Sequence, residues 1–229
     1  MRGAGVAVSS FVGGSTGFDG LFVIQPDGRM HIKSGVGTLG TESWSDVHRV
    51  AAEMMGVPWD KVEIAWGDTS QNLPWTCVSG GSQTIHAMTR AAHAAAEDAI
   101  AKAKEIAAQT LGGRPESYTV ADERVSSGGR SMTLAEVAQR AIELGSKYDG
   151  HELPEDINQY TVTSATALAG QGLMGVARDS YGRDGSTFAF VAGFAEIEVD
   201  VETGDYQILD YLAVGDSGTI IHPCLLYTS

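Results

Sequence analysis

Two stretches of this 229-residue chain share one design: GVGTLGTES at 35–43 and SGGSQT at 79–84 each run a glycine-bearing loop straight into the first turn of a helix. A helix start leaves backbone N–H groups without intrahelical acceptors and carries positive partial charge. Glycine lets a ligand come close to that backbone. The chemistry this suits is the holding of a phosphate or another anion, and two such loops in one domain point to an anionic cofactor. In the second loop Ser82 is the expected N-cap, and Ser79, Gln83 and Thr84 add polar side chains. The alternative is that the glycines only make tight turns and the serines only cap helices.

A second chemistry competes. Gly35, Gly37 and Gly40 match G-x-G-x-x-G between a strand and a helix, the dinucleotide fingerprint, with Asp68 available as a ribose-binding acid. Against a nicotinamide or flavin site, the interval from Gly40 to Asp68 exceeds the usual one of about 20 residues, and the strand before Gly35 reads as half of a hairpin.

Other reactive residue types carry less. Cys77 and Cys224 cannot build a four-thiolate iron–sulfur or zinc site, and the six histidines show no HExxH or comparable ligand spacing. Cys77 lies two residues before the second loop, but a small buried thiol is the commoner role. Asp68 reads as a loop cap, Trp66 and Trp75 as packing residues beside the same loop, and Glu196, Glu198 and Asp200 as the solvated face of a hairpin.

Composition narrows the setting. Fifteen basic against 29 acidic residues give a formal charge of −14, which repels phosphate backbones and anionic lipid headgroups, so nucleic acid is excluded as a partner. No apolar run approaches the about 20 residues that span a bilayer, so membrane insertion is not expected. A hydrophobic content of 43% is ample for a buried core.

The elements that must position the loops are read as follows. LFVIQPDGRMHIK at 21–33 is a hairpin around Pro26-Asp27-Gly28. Val47, Val50, Ala51 and Met54 keep helical period over 43–56, with Ser43 and Asp46 as an expected capping box. KVEIAW at 61–66 is a strand, and a long alanine-rich helix runs from about 85 to Leu111. Thr133 and Glu136 form a capping box for a helix to 144 that ends at Gly145. Residues 146–186 read mostly as loop around one strand near Tyr160–Ser164. Residues 187–214 alternate as a hairpin turning at Glu202-Thr203-Gly204-Asp205. The sum is an α+β (mixed α/β) domain with mixed sheets, antiparallel hairpins and a long Ala-rich helix.

Gly37 to His86 and FAEIEVDVETGDYQILDYLAVGDSGTIIHP at 194–223 together resemble the large, molybdenum-cofactor-binding subunit of the xanthine dehydrogenase/aldehyde oxidase family, in the right order and over about half the chain. The resemblance implies a molybdopterin cofactor, in its cytosine dinucleotide form, whose sulfurs hold the molybdenum. It implies an oxidoreductase that hydroxylates aldehydes or N-heteroaromatic rings with water-derived oxygen, and partner subunits carrying iron–sulfur clusters and FAD. The cofactor contacts it implies are Gly40, Thr41, Ser79, Gly80, Gly81, Ser82 and Gln83. Where the family has a loop glutamine near the cofactor, this chain reads Leu39-Gly40-Thr41-Glu42. That departure motivates a further alternative, a non-catalytic domain that has lost the cofactor.

The family's catalytic glutamate lies beyond the hairpin at 187–214, so no catalytic residue is assigned. The expected layout is a cofactor-binding lobe at 1–145, a glycine-rich connection and hairpin at 146–223, and a non-native tail at 224–229, the whole being a fragment that is inactive alone. Residues 39–41 and 79–83 are expected on one side of the domain. The cytoplasm is the expected compartment, with the periplasm as the alternative.

Overall fold

The structure, a computed structural model, describes residues 1–14, 17–76, 78–182, 185, 187–220, 223 and 224. Two compact units are present, one made of Met1–Gly14 with Arg183–Ser229, the other of Ser15–Gly182. Position 145/146, the expected boundary between two lobes, lies inside the second of these.

The smaller unit is one three-stranded antiparallel sheet. Its strands are β1 (Arg2–Val12), β9 (Phe188–Val199) and β10 (Tyr206–Gly215), with β9 central. The alternation in β9 shows as half-buried Ala195, Ile197 and Val199 against exposed Glu196 and Glu198. Gly204 turns the hairpin at φ 82°, a conformation glycine adopts freely, and a register shift between Ile208 and Asp210 marks a bulge. The expected tail falls largely outside the described residues, as do His222 and Cys77; within it Cys224 is exposed.

The larger unit is built on a mixed four-stranded sheet in the order β4-β3-β2-β8, with β2 at Asp19–Ile24, β3 at Met30–Ser34, β4 at Val62–Trp66 and β8 at Leu173–Arg178. β2 and β3 form the expected hairpin, turning at Gly28. β3 also pairs in parallel with β4, so the helix between them, α1 (Ser43–Met55), makes a β-α-β crossover. All six residues of β2 are buried, because both faces of this central strand are covered. One face presents Phe22, Ile24 and Ile32 to α1 and to the long helix α2 (Thr84–Leu111). The other packs Leu21, Val23 and Met174 against Ala165 and Leu168.

The alanine content of α2 has a physical cause. A Cβ built on Gly20 would stand 2.0 Å from the Ala91 carbonyl oxygen, and one on Gly175 would stand 2.1 Å from that of Ala95. The helix backbone therefore lies directly on the sheet, and side chains larger than methyl would hold it off. Past its end, the small sheet of β5 (Thr119–Ala121), β6 (Arg124–Ser127) and β7 (Arg130–Thr133) was not anticipated from the sequence. From this sheet Arg130 donates to the Leu111 and Gly112 carbonyls at 3.1 and 2.9 Å, placing a cation on the negative end of α2.

Helix α3 (Leu134–Leu144) starts on the expected capping box. Glu136 N–H donates to Thr133 Oγ1 at 3.1 Å, and Thr133 N–H donates to Glu136 Oε2 at 2.7 Å. That backbone donor, followed by the Thr133 hydroxyl, holds the Glu136 carboxyl below its ordinary 4.5. A depressed folded-state value stabilises the fold above the unfolded value and loses that contribution as pH falls through the folded one. Glu136→Gln keeps the capping geometry but removes an exposed, solvent-screened charge, so it should cost only about 0.3 kcal/mol at neutral pH, and the difference from the parent should shrink on acidification below about pH 4. Urea unfolding at several pH values measures this; a gap independent of pH would refute it.

Three expectations are corrected. Residues 160–164 are not a strand but lie in helix α4 (Gln159–Leu168). The β-branched run Thr161-Val162-Thr163 favours a strand locally, but Asn158 caps a helix through Tyr160 N–H at 2.9 Å, and buried Asp19 accepts from Asn158 N–H and the Thr161 hydroxyl, both at 2.7 Å. Ser43 and Asp46 make no capping box, because the N-cap is Glu42 with no side-chain cap bond. Ser82 is not the N-cap of α2, a position Gln83 occupies.

Candidate functional site

β3 and β4 run in parallel and end side by side, with Ser34 opposite Trp66 and Gly67 N–H bonded to the Ser34 carbonyl at 3.2 Å. The loops that follow them, 35–42 and 67–83, therefore leave the same edge of the sheet. In sheets with parallel strands, ligands bind outside the carboxyl ends of those strands. The first loop is seated on the second: a Cβ on Gly35 would lie 2.6 Å from the Pro74 carbonyl oxygen and 3.0 Å from Thr76 Oγ1. Residues 73–76 are in turn fixed to α4, where Thr161 Oγ1 accepts from Trp75 N–H at 2.8 Å and Ser164 Oγ donates to the Leu73 carbonyl at 2.7 Å.

Beyond Val36 the first loop is exposed through Glu42. Gly40 has φ 83°, and the Thr41 and Ser43 hydroxyls are 2.8 Å apart. Glu42, at φ 53°, turns the chain into α1, and its carboxylate accepts from Trp44 Nε1 at 2.7 Å. Trp44 stacks on Trp66 at a centroid distance of 5.9 Å and an interplanar angle of 8°. These contacts make the two tryptophans a brace for the helix start.

The second loop enters α2 through two successive left-handed residues, Gly81 at φ 65° and Ser82 at φ 52°, followed by right-handed Gln83. A left-handed residue followed by a right-handed one, as at Ser82–Gln83, is the backbone pattern of anion-binding nests. A serine held at positive φ is strained, and strain of this kind concentrates at ligand clamps. Gln83 is buried and donates Nε2 to the Val78 carbonyl at 2.8 Å, closing the loop from within. Ser79 and Ser82 are exposed, while Gly80 and Gly81 are half-buried.

The dinucleotide alternative meets a physical objection. β3-α1-β4 does form a parallel unit, contrary to the expectation that its first strand belonged to a hairpin alone. In the fingerprint, however, the third glycine allows close packing of helix on strand. Gly40 instead lies exposed in the loop before α1, with nothing within 4 Å of a Cβ built there. Asp68 is occupied locally, accepting from Ser70 N–H at 2.9 Å and its hydroxyl at 2.7 Å; these bonds hold its carboxyl below the ordinary range.

One polar cluster was not anticipated. Arg90 on α2 donates Nε to Asp179 Oδ1 at 3.0 Å and an Nη2–H to the Tyr181 carbonyl. The Tyr181 hydroxyl donates to Glu97 at 2.9 Å and meets His93 Nδ1; burial first, then Glu97, pushes it up to about 12. This network ties the segment after β8 to α2. Its signal was legible as Arg90, His93 and Glu97 at helical spacing, but their partners lie more than 80 residues away. Among the described residues no group of three or more His, Cys, Asp or Glu side chains could hold a metal ion.

The model of the molybdopterin cofactor-binding domain family matches residues 1–228. The chain is 27% identical over 207 residues to the aldehyde oxidoreductase molybdenum-binding subunit PaoC of Escherichia coli, covering 87% of this chain and 23% of that protein. It is 26% identical over 209 residues to the probable hypoxanthine oxidase XdhD of Escherichia coli, covering 87% and 18%. The chain thus spans less than a quarter of these relatives. Among solved structures, the Cu,Mo-CO dehydrogenase has the same fold, with TM-score 0.58 and 23% identity over 99% of this chain and 28% of that one.

Proposed function

Because the chain belongs to the molybdopterin cofactor-binding domain family, we propose that its two glycine loops hold the anionic part of that cofactor. The observation that carries this reading is the left-handed entry of the second loop into α2, beside a first loop that leaves the same sheet edge. The donor set suits the group. Backbone N–H groups at two helix starts and the hydroxyls of Thr41, Ser79 and Ser82 are donors to phosphate oxygens, and the nearby Glu42 carboxylate is tied to the Trp44 indole. Gly40, Thr41, Ser79, Gly80, Gly81 and Ser82 form the contact set, with Gln83 holding the second loop in shape.

When bound, the cofactor supplies molybdenum-centred transfer of water-derived oxygen with a two-electron change at the metal. This chain's own residues position it. Thr161 and Ser164 fix the strap at 73–76, Gln83 closes the loop, and Trp44 on Trp66 braces the other helix start.

The proposed activity, that of the complete enzyme containing this module, is hydroxylation of aldehydes or N-heteroaromatic compounds. It is supported by relatives named as an aldehyde oxidoreductase subunit and a probable hypoxanthine oxidase. We extend the proposal to the cytosine dinucleotide form of the cofactor, to iron–sulfur and FAD partner subunits, and to a cytoplasmic setting; no helix among the described residues is long and apolar enough to cross a membrane. Purified from a cofactor-producing host, the complete enzyme should release molybdenum and pterin in equal amounts. Nicotinamide in their place, or neither group, would sink the reading.

A further inference from the structure

The face of the four-stranded sheet turned away from α1 and α2 is only partly covered. Over β2 and β8 it is apolar and sealed by Leu168 and Ala165. Over β3 and β4 it opens into a polar cleft of about 280 Å³, lined by Gln25, His31, Lys33, Glu63, Gln71 and Gln171. Strand register builds it: Val23, His31 and Glu63 stand in one row across three strands, and Leu21, Lys33 and Ala65 in the next. The residues between these rows, Phe22, Ile32 and Ile64, face the core under α1 and α2. The sheet therefore fixes His31, Lys33 and Glu63, while Gln25, Gln71 and Gln171 reach the cleft from the turns and loop beside it.

Its charges are unevenly matched. His31 lies between Glu63, 3.4 Å from Nδ1, and Gln25 Oε1, 3.2 Å from Nε2. Lys33, half-buried beside it, makes no hydrogen bond or ion pair with another described residue. Burial pushes the Lys33 ammonium down from its ordinary value, with no carboxylate among the described residues to offset it. A half-buried cation without a counter-charge is costly, and a bound anion would remove that cost. Gln25 already meets His31 through Oε1 and Gln71 donates Nε2 to Asp68 at 3.3 Å, so the remaining amide groups of these two and the Gln171 amide are what can orient a neutral polar group. Glu63 at the wall opposes a second negative charge, so a monoanion is favoured over a dianionic phosphate.

We propose that this cleft binds a small monocarboxylate carrying an amide or hydroxyl group, its carboxylate on Lys33 and its neutral part among Gln25, Gln71 and Gln171. The site shares no residue with the proposed cofactor contact set, and its test does not depend on cofactor loading.

The test is a titration of the ¹⁵N-labelled full chain with N-acetylglycine at constant ionic strength, following the glutamine side-chain amides and the His31 imidazole by NMR. Saturable shifts of these signals are expected, with affinity reduced about tenfold or more in Lys33→Met. Because Lys33→Met removes an unpaired half-buried charge, its melting temperature should not fall below that of the parent; Lys33→Gln serves as a second variant for the same comparison. Gln71→Leu should weaken binding without abolishing it. The proposal is overturned by shifts that fail to saturate, by equal affinity in the Lys33 variants, or by inorganic phosphate saturating the same signals more tightly than N-acetylglycine.

Discussion

Gly175→Ala should destabilise the protein by about 3 kcal/mol or more, at the upper end of what overpacking a core costs. The new methyl would stand 2.1 Å from the Ala95 carbonyl oxygen, 2.8 Å from Ala99 Cβ and 2.9 Å from the Ala99 nitrogen. Two of these three neighbours are backbone atoms of α2, so no rotamer change relieves the contact. The helix must lift, and lifting it disturbs the packing of Ala91, Ala95 and Ala99, all fully buried. A loss of this size is a large share of the about 5–15 kcal/mol that holds a domain folded.

Gly20→Ala meets the same helix one strand away, 2.0 Å from the Ala91 carbonyl. The two substitutions should therefore be non-additive, because a helix raised by the first already accommodates part of the second. Gly37→Ala is the control, since nothing lies within 4 Å of a Cβ there. Urea unfolding followed by circular dichroism decides the matter. A Gly175→Ala protein within about 0.5 kcal/mol of the parent, the range of ordinary surface substitutions, would mean that α2 does not lie on the sheet as described.

The second large effect concerns loading. Gly81→Val in the complete enzyme should lower molybdenum and pterin content by about tenfold or more, because a branched side chain on the second loop would block close approach of an anion to the backbone N–H groups. Valine at φ 65° is also strained, so loss of cofactor alone would be ambiguous. Gly128→Val supplies the matching strain: Gly128 has φ 53°, lies in the turn between β6 and β7, and has open space around it. Both variants should lose about 1–2 kcal/mol of stability, but only Gly81→Val should lose cofactor. Parent-like molybdenum content in Gly81→Val would remove the second loop from the binding site, and equal depletion of the two variants would assign the loss to folding.

Legibility in the sequence followed the range of the forces involved. The α3 cap was readable because Thr133 and Glu136 are three residues apart and satisfy each other's backbone groups. The β9-β10 hairpin was readable from period-two alternation around Gly204, and α2 from an alanine run whose helix propensity sums over 28 residues. Each of these signals is carried by residues that are neighbours in sequence.

Short stretches of chain encode the strong local elements, the two glycine loops placed before helix starts, and a family resemblance that names a cofactor. The folded chain makes α4 a helix, through Asp19 reaching Thr161 across 142 residues, and makes the buried, glycine-containing LMGVAR the strand β8. It alone joined the loops, because their shared edge exists only once β3 and β4 pair in parallel. It alone left Lys33 without a counter-charge among the described residues, since that depends on which residues its sheet neighbours bring alongside. Helical period and caps are written in residues a few positions apart, whereas strand order, close backbone approach and charge pairing are fixed by contacts between distant segments that no short stretch encodes.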